Sequence, residues 1–196
     1  MKAFRTDQRI VKITSAVRKR QFSLMLVLEN IHDSHNVSAI LRTSDAVGIP
    51  KVALLYTIEK FPRISRITSA SANKWVERER YTSIEECYGL LRREGFRIYA
   101  SSLDKGSKDL FDLDFTGKSA IILGNEHRGV SKEAAESADE TFYIPMYGMV
   151  QSLNVSVAAA VILYEILRQR RKKGLYKKSE LEENRINQII EEWCKK

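Results

Sequence analysis

Several features that would assign the chain to a specialised class are missing. Its 196 residues include only two cysteines, Cys87 and Cys194, so neither a disulfide framework nor a cysteine metal site is indicated. No apolar segment follows the basic N-terminus, so we expect no secretory signal. The most apolar helical segment is too short and too interrupted to cross a bilayer. We therefore expect one cytoplasmic domain with no membrane partner.

Two phosphate-binding motifs are also absent from the glycine-containing turn at residues 124–129. Its sequence, GNEHRG, matches neither the dinucleotide motif G-x-G-x-x-G nor the P-loop motif G-x-x-x-x-G-K-[ST]. Two nearby histidines, His32 and His35, lack a third metal ligand at matching spacing, so no metal site is predicted.

Acidic residues are scarce in two segments where basic residues concentrate. Residues 1–20 carry seven Lys or Arg side chains against one Asp, and residues 168–178 carry seven and no acid. Because the whole chain has a net charge of only +8, the remainder is mildly acidic. Basic segments flanking an acidic body favour a polyanion such as RNA, although two solvated helix faces would give the same pattern. The candidate phosphate ligands are Arg5, Arg9, Lys12, Arg18, Lys19, Arg20, Arg168, Arg171 and Lys172.

Alternating strand and helix patterns predict an α/β fold. Apolar runs predict strands at 22–28, 51–56, 75–81, 96–100, 119–123 and 141–146. Helical spacing predicts helices at 4–20, 37–47, 83–94 and around 186–193, with a short helix beginning near Ser131. This order is typical of a mostly parallel sheet with helices on both faces.

One further helix, from Leu153 to about Leu167, is apolar on nearly every side. A helix of this kind is normally buried, and Ser152 is its candidate N-cap. The loop before it could hold a polar ligand on free helix N–H groups, or it could simply cap a core helix.

Polar residues collect in three loops that follow predicted strands: 30–36, 124–129 and 147–154. In proteins with a parallel sheet, ligands bind at the edge where the strands have their carboxyl ends, which is where these loops lie. Arg42, close to the start of its helix, can bind a phosphate or carboxylate through two parallel hydrogen bonds. It could equally be a surface arginine on an amphipathic helix. Gly124 would let the backbone approach a ligand closely, and Glu126 could act in catalysis or fix its loop.

The three loops resemble, in order and spacing, the three motifs of the SpoU (TrmH) family of RNA ribose methyltransferases in the SPOUT superfamily. The matching segments are NVSAILR (36–42), LGNEHRGVS (123–131) and IPMYGMVQSLNVSVAAAV (144–161). Ser38 departs from the glycine found in many members and resembles the branch that methylates guanosine-18 of the tRNA D-loop.

This resemblance implies a C-terminal deep trefoil knot, a homodimer with the active site at its interface, and S-adenosylmethionine as cofactor. By position it implies cofactor contacts from Ser101, Leu123, Gly124, Ile144 and Leu153. It also implies a catalytic group made of Asn36, Arg42, Glu126, Ser152 and Asn154. The corresponding division of the chain is a basic helical arm (1–20), a SPOUT domain (21–167) and a basic segment with a C-terminal helix (168–196).

Other functions stay open on the sequence alone. The same chemistry could serve another tRNA position or ribosomal RNA, or the chain could be an RNA-binding protein without catalysis. A small-molecule α/β enzyme is disfavoured by the two basic segments.

Overall fold

A seven-stranded sheet forms the centre of the protein, as seen in a computed structural model that describes residues 6–62 and 72–196. The strands are β1 (Leu24–Glu29), β2 (Lys51–Leu55), β3 (Glu77–Tyr81), β4 (Arg97–Ser101), β5 (Lys108–Asp109), β6 (Ser119–Leu123) and β7 (Glu140–Tyr143). Their spatial order is β3-β2-β1-β6-β4-β7-β5, and every described pair is parallel. The predicted α/β class is therefore confirmed.

Within these ranges, six α-helices surround or extend the sheet. They are α1 (Asp7–Arg18), α2 (Ser34–Val47), α3 (Ile84–Arg93), α4 (Lys132–Glu136), α5 (Val155–Lys172) and α6 (Glu183–Lys195). Short 3-10 helices occupy Ala72–Lys74 and Leu110–Asp112. No helix within the described ranges has both the length and the apolar character that crossing a membrane requires.

The two faces of the sheet are covered by different helices because successive strand residues point to opposite sides. In β1, Leu26 and Leu28 pack with α2 and α5, whereas Val27 packs with α3 and α4. All six residues of β1 are buried, as expected for a central parallel strand covered on both sides.

The two ends of the chain meet in a third apolar cluster. Val17 of α1 packs with Ile186 and Trp193 of α6, and the ring of Trp193 lies 4.8 Å from that of Trp75. The N-terminal basic helix is thus packed against the C-terminal helix.

Several sequence-based boundaries need correction. Helix α1 begins at Asp7, three residues later than predicted. The Ser/Ala-rich sequence at 65–73, which is typical of a short helix or a loop, falls mostly outside the described residues. The two-residue strand β5 was not predicted, because two polar residues give no periodicity.

Helix α5 begins at Val155, two residues later than predicted, and continues to Lys172. It therefore takes in the first part of the basic segment 168–178. The prediction that this helix is buried on all sides was wrong for the single chain, since Val157 and Tyr164 are 48% and 53% exposed.

Candidate active site

The three polar loops meet at the carboxyl edge of the sheet, joined by a chain of side-chain hydrogen bonds. Asn36 Nδ2 donates to Glu126 Oε1 at 2.8 Å, and Asn154 Nδ2 donates to Asn36 Oδ1 at 3.2 Å. One residue from each loop thus contributes to a continuous polar group.

Glu126 anchors the first loop as well as belonging to this group. Its carboxylate accepts hydrogen bonds from the backbone N–H groups of His32, at 2.9 Å, and Asp33, at 3.2 Å. Partial burial alone would raise the pKa of Glu126, but the hydrogen bonds from Asn36 and the backbone outweigh it, so the pKa lies below its ordinary value.

The loop after β6 is a tight turn that requires glycine at its start. Asn125 and Gly129 exchange two backbone hydrogen bonds, of 3.0 and 2.8 Å, and close the turn. A Cβ atom on Gly124 would lie 2.1 Å from the backbone of Gly129 and Val130. Gly124 is thus needed for close approach within the loop itself, and the expected approach of its backbone to a ligand stays a prediction.

A cavity of about 880 Å³ opens beside this loop. All five residues proposed for the cofactor line it: Ser101, Leu123, Gly124, Ile144 and Leu153. Glu126 and Ser152 of the proposed catalytic group also line it. Asp104, Thr141 and Met146 line the cavity as well. The strand predicted at 141–146 gave no sign that Thr141 and Met146 would face a ligand cavity.

The N-cap of α5 is Asn154, whose side chain accepts from the N–H of Ser156 at 2.9 Å. Ser152, the predicted cap, is instead exposed at the cavity. Asn154 therefore has two roles, since the same amide also donates to Asn36.

Arg42 projects from α2 with its side chain exposed and outside the cavity lining. No hydrogen bond or ion pair joins it to any residue in the described ranges. Its guanidinium is therefore free to bind an anion from outside the chain.

The basic residues proposed to bind RNA differ in availability. Lys12, Lys19, Arg171 and Lys172 are exposed. Arg18 is paired with Glu183, and Arg168 with Glu165 at 2.7 Å, although both arginines keep exposed surface. Arg9 is half-buried, and Arg5 lies outside the described residues.

Arg20 is a correction to that set. It is buried, and its guanidinium donates to the Asp45 carboxylate and to Ile49 O, the latter at 2.8 Å. It also stacks over Trp193, 4.9 Å from the ring centre. A guanidinium held in this way cannot reach an RNA phosphate without local unfolding.

Large apolar side chains on α5 and in the loop before it are exposed. Tyr147 and Met149 of the preceding loop are almost fully exposed, and Val157 and Tyr164 are about half exposed. We call these four residues the α5 patch. Val157 and Tyr164 stand seven residues apart on α5 and so share a face, and exposed apolar surface on one face often marks an interaction site.

Metal ligands are a separate question. In the part of the chain that the structure covers, no group of three or more His, Cys, Asp or Glu side chains is placed to hold a metal ion.

Comparison with known proteins shows which family the chain belongs to. The SpoU rRNA Methylase family matches residues 23–164, which contain all three loops. The chain belongs to the SpoU family.

Full-length relatives of this SpoU-family protein include a tRNA (guanosine(18)-2′-O)-methyltransferase of Thermus thermophilus. The two are 42% identical over 192 residues, covering 98% of each chain. Among solved structures, the TrmH/SpoU tRNA modifying enzyme of A. aeolicus superimposes with a TM-score of 0.90 at 38% identity, covering 96% of both chains.

A more distant structure is the SpoU methyltransferase AviRb of Streptomyces viridochromogenes in complex with the cofactor AdoMet. It matches 79% of this chain and 59% of its own length, with a TM-score of 0.67 and 27% identity.

Proposed function

We propose that this protein transfers a methyl group from S-adenosylmethionine to the ribose 2′-hydroxyl of guanosine-18 in tRNA. The observation that carries the proposal is the convergence of Asn36, Glu126 and Asn154 beside a cavity large enough for a cofactor, with Arg42 unpaired among the described residues. The named activity of the Thermus thermophilus relative, which matches over 98% of both chains, supplies the substrate.

The cavity fits S-adenosylmethionine in size and in chemistry. Its volume lies within the range of small-molecule sites, and Leu123, Ile144 and Leu153 offer apolar contacts. The bound cofactor would supply a methyl group already activated by its positive sulfur. Ser101 and Gly124 would contribute the remaining contacts at the cavity wall.

Because the methyl group is already activated, the protein's main tasks are to position the 2′-hydroxyl and to assist loss of its proton. The family resemblance gives the role of base to Arg42. A guanidinium is protonated at any ordinary pH, so we assign Arg42 mainly to clamping the RNA phosphate next to the target ribose. Any role of Arg42 as the acceptor of the 2′-hydroxyl proton would be confined to the assembled complex.

The polar group of Asn36, Glu126 and Asn154 would shape the site for that ribose. Glu126 fixes the backbone at residues 32–33 and orients Asn36. Asn154 links Asn36 to the start of α5, and Ser152 lies exposed at the cavity on the same loop. The carboxylate and the two amides thus have defined positions before any ligand binds, which favours catalysis by preorganisation.

A second copy of the chain is the proposed partner of the α5 patch. Val157 and Tyr164 belong to a helix that the sequence makes apolar on all sides, and such a helix is stable in water when its remaining face is covered. Tyr147 and Met149 belong to the loop whose residues Gln151, Ser152 and Leu153 line the cavity, so the same interface would lie close to the cavity. We therefore propose a homodimer with the active site at the interface.

The family resemblance also supports a deep trefoil knot in the C-terminal part of the chain. After β7, near one edge of the sheet, residues 144–154 return to the cavity, and α5 then packs with α2 on one face of the sheet. A knotted path would account for cofactor contacts from loops so far apart in sequence. A tRNA substrate in turn favours a cytoplasmic location.

The exposed basic residues at both chain ends would extend the RNA-binding surface. Lys12, Lys19, Arg171 and Lys172 would neutralise phosphates and add affinity without sequence preference. These four residues and the paired arginines Arg18 and Arg168 belong to the two terminal segments, 1–20 and 168–196. The segments flank the proposed methyltransferase domain at 21–167.

Methyl transfer from radiolabelled S-adenosylmethionine to unmodified tRNA transcripts tests the proposed function. We expect label in tRNA and 2′-O-methylguanosine at position 18, mapped by nuclease digestion and mass spectrometry. A transcript with 2′-deoxyguanosine at position 18 is the matched control and should accept no label. Label in ribosomal RNA or at another tRNA position would refute the assigned target, and no label in any RNA would refute the enzyme.

A further inference from the structure

A second charged group lies on the same edge of the sheet as the proposed catalytic residues. Arg128 Nη2 donates to Glu59 Oε1 at 2.7 Å, and His32 Nδ1 lies 3.2 Å from Glu59 Oε2. The three residues come from the loops after β6, β2 and β1. Their side chains are not hydrogen-bonded to the Asn36–Glu126–Asn154 group, although the backbone N–H of His32 donates to Glu126.

Glu59 is held in place through its backbone. Asn30 Oδ1 accepts hydrogen bonds from the N–H groups of Thr57, Ile58 and Glu59 at 3.0 to 3.1 Å. Asn30 itself has a positive φ of 50°, a conformation that asparagine tolerates better than most residues. The backbone of residues 57–59 is thus held in place by Asn30. The hydrogen bond from Arg128 lowers the pKa of Glu59, so its carboxylate stays ionised.

The backbone of Arg128 is held within a turn, whereas its side chain is held, among the described residues, only by the exposed ion pair with Glu59. Its N–H donates to Asn125 Oδ1 at 3.2 Å, inside the turn that Asn125 and Gly129 close. Its side chain is half exposed and lines the cavity. The guanidinium can therefore leave Glu59 without disturbing the turn, and exposed ion pairs of this kind contribute little stability.

RNA binding would supply a competing acceptor at this position. A phosphate accepts two parallel hydrogen bonds from a guanidinium, as a carboxylate does. If the target ribose lies beside Arg42 and Asn36, the sugar-phosphate chain must pass the carboxyl edge of the sheet, where Arg128 is located. His32 would remain beside Glu59 and give its carboxylate a partner after Arg128 leaves.

We propose that Arg128 is a second phosphate ligand for tRNA, which Glu59 holds in the absence of RNA and releases when the RNA phosphate binds. This inference rests on the proposed function, because it takes tRNA as the ligand. Glu59 then lowers tRNA affinity by competing for Arg128 and prevents a free guanidinium from binding other anions.

The test is binding of an unmodified tRNA transcript, without cofactor, at several salt concentrations. Arg128→Ala should weaken binding about sixfold at ~0.1 M salt and reduce the slope of log affinity against log salt by about 0.7 to 0.9, the value for one phosphate. Arg128→Lys should restore the slope, since it keeps one charge. Glu59→Gln should tighten binding up to about fivefold, since the competing ion pair is weak.

A double variant separates release of Arg128 from simple charge repulsion. In the Arg128→Ala background, Glu59→Gln should no longer tighten binding. Glu140→Gln is the matched control, because Glu140 also binds two cations, Arg97 and Lys108, but towards the opposite end of the strand order. It should leave tRNA affinity unchanged.

Three results would overturn the proposal. They are an unchanged salt slope in Arg128→Ala, a gain from Glu59→Gln that persists without Arg128, and an equal gain from Glu140→Gln. Absence of methyl transfer by the wild-type protein would instead refute the proposed function. Normal methyl transfer with unaltered binding by the Arg128 variants would refute this inference alone.

Discussion

Arg170 is the most deeply buried charged side chain among the described residues, and its replacement should destabilise the protein strongly. It lies near the C-terminal end of α5 with no exposed surface. Its guanidinium donates to Phe115 O at 3.0 Å, Gly117 O at 2.6 Å and Ser23 O at 3.1 Å. It also donates to Ser23 Oγ at 2.9 Å and Gln21 Oε1 at 3.3 Å, so that five acceptors share its donors.

The magnitude follows from what Arg170→Met leaves behind. Methionine fills similar space and removes the cost of burying a charge, which offsets part of the loss. The three carbonyl oxygens belong to the main chain and cannot be removed, and each lost hydrogen bond costs about 1 kcal/mol, or more when the group stays buried. We therefore expect a loss of about 3 to 5 kcal/mol in the free energy of unfolding.

Thermal unfolding at equal protein concentration measures this loss. For a chain of this size, about 1 kcal/mol lowers Tm by roughly 2 to 4 °C, so we expect a decrease of about 6 to 20 °C. Arg171→Met is the control, because Arg171 is the next residue along α5 and is exposed. If the two variants unfold at the same temperature, the buried guanidinium does not stabilise the fold as we reason.

Four further predictions concern the site. Arg42→Lys should reduce methyl transfer at least tenfold and weaken tRNA binding, because an ammonium cannot hold a phosphate with two parallel hydrogen bonds; near-normal turnover and affinity would exclude the clamp. Gly124→Ala should lower Tm and weaken S-adenosylmethionine binding measured by calorimetry, because its methyl group would overlap the backbone of Gly129, and unaltered binding would contradict this. Because its pKa is depressed, Glu126 stabilises the fold above the ordinary glutamate pKa and loses this effect as pH falls through its own pKa. Glu126→Gln should therefore lower Tm at pH 7 with the difference narrowing towards pH 3, and a constant difference would refute the assignment. Tyr164→Glu should convert a dimer to a monomer in analytical ultracentrifugation, and a wild-type monomer would exclude the interface.

Local sequence patterns predicted most of the secondary structure because they record which face of each element is buried. The apolar run at 22–28 predicts a strand covered on both sides, and β1 is such a strand. The stripe of Ile84, Cys87, Tyr88 and Leu91 predicts a helix with one buried face, and these four residues are the buried ones of α3. In both cases most of the apolar residues of the pattern are the buried ones.

Basic residues show where such patterns stop being informative. Arg170 and Arg171 are neighbours in a run of charges, yet one is fully buried and the other is exposed. Arg20 likewise ends a basic segment but binds Asp45 inside the fold. Which arginine finds internal acceptors depends on residues more than twenty positions away in the sequence. Composition does not tell which of those residues the fold brings close to it.

Periodicity and loop order are local properties, so they were enough to predict the parallel α/β architecture and the three loops that carry the polar residues. They could not predict which of those residues meet, because that depends on the fold as a whole. Asn36 contacts Glu126 across 90 residues and Asn154 across 118. Such contacts depend on how strands are ordered in the sheet, and it is that order, rather than any single segment, that brings the site together.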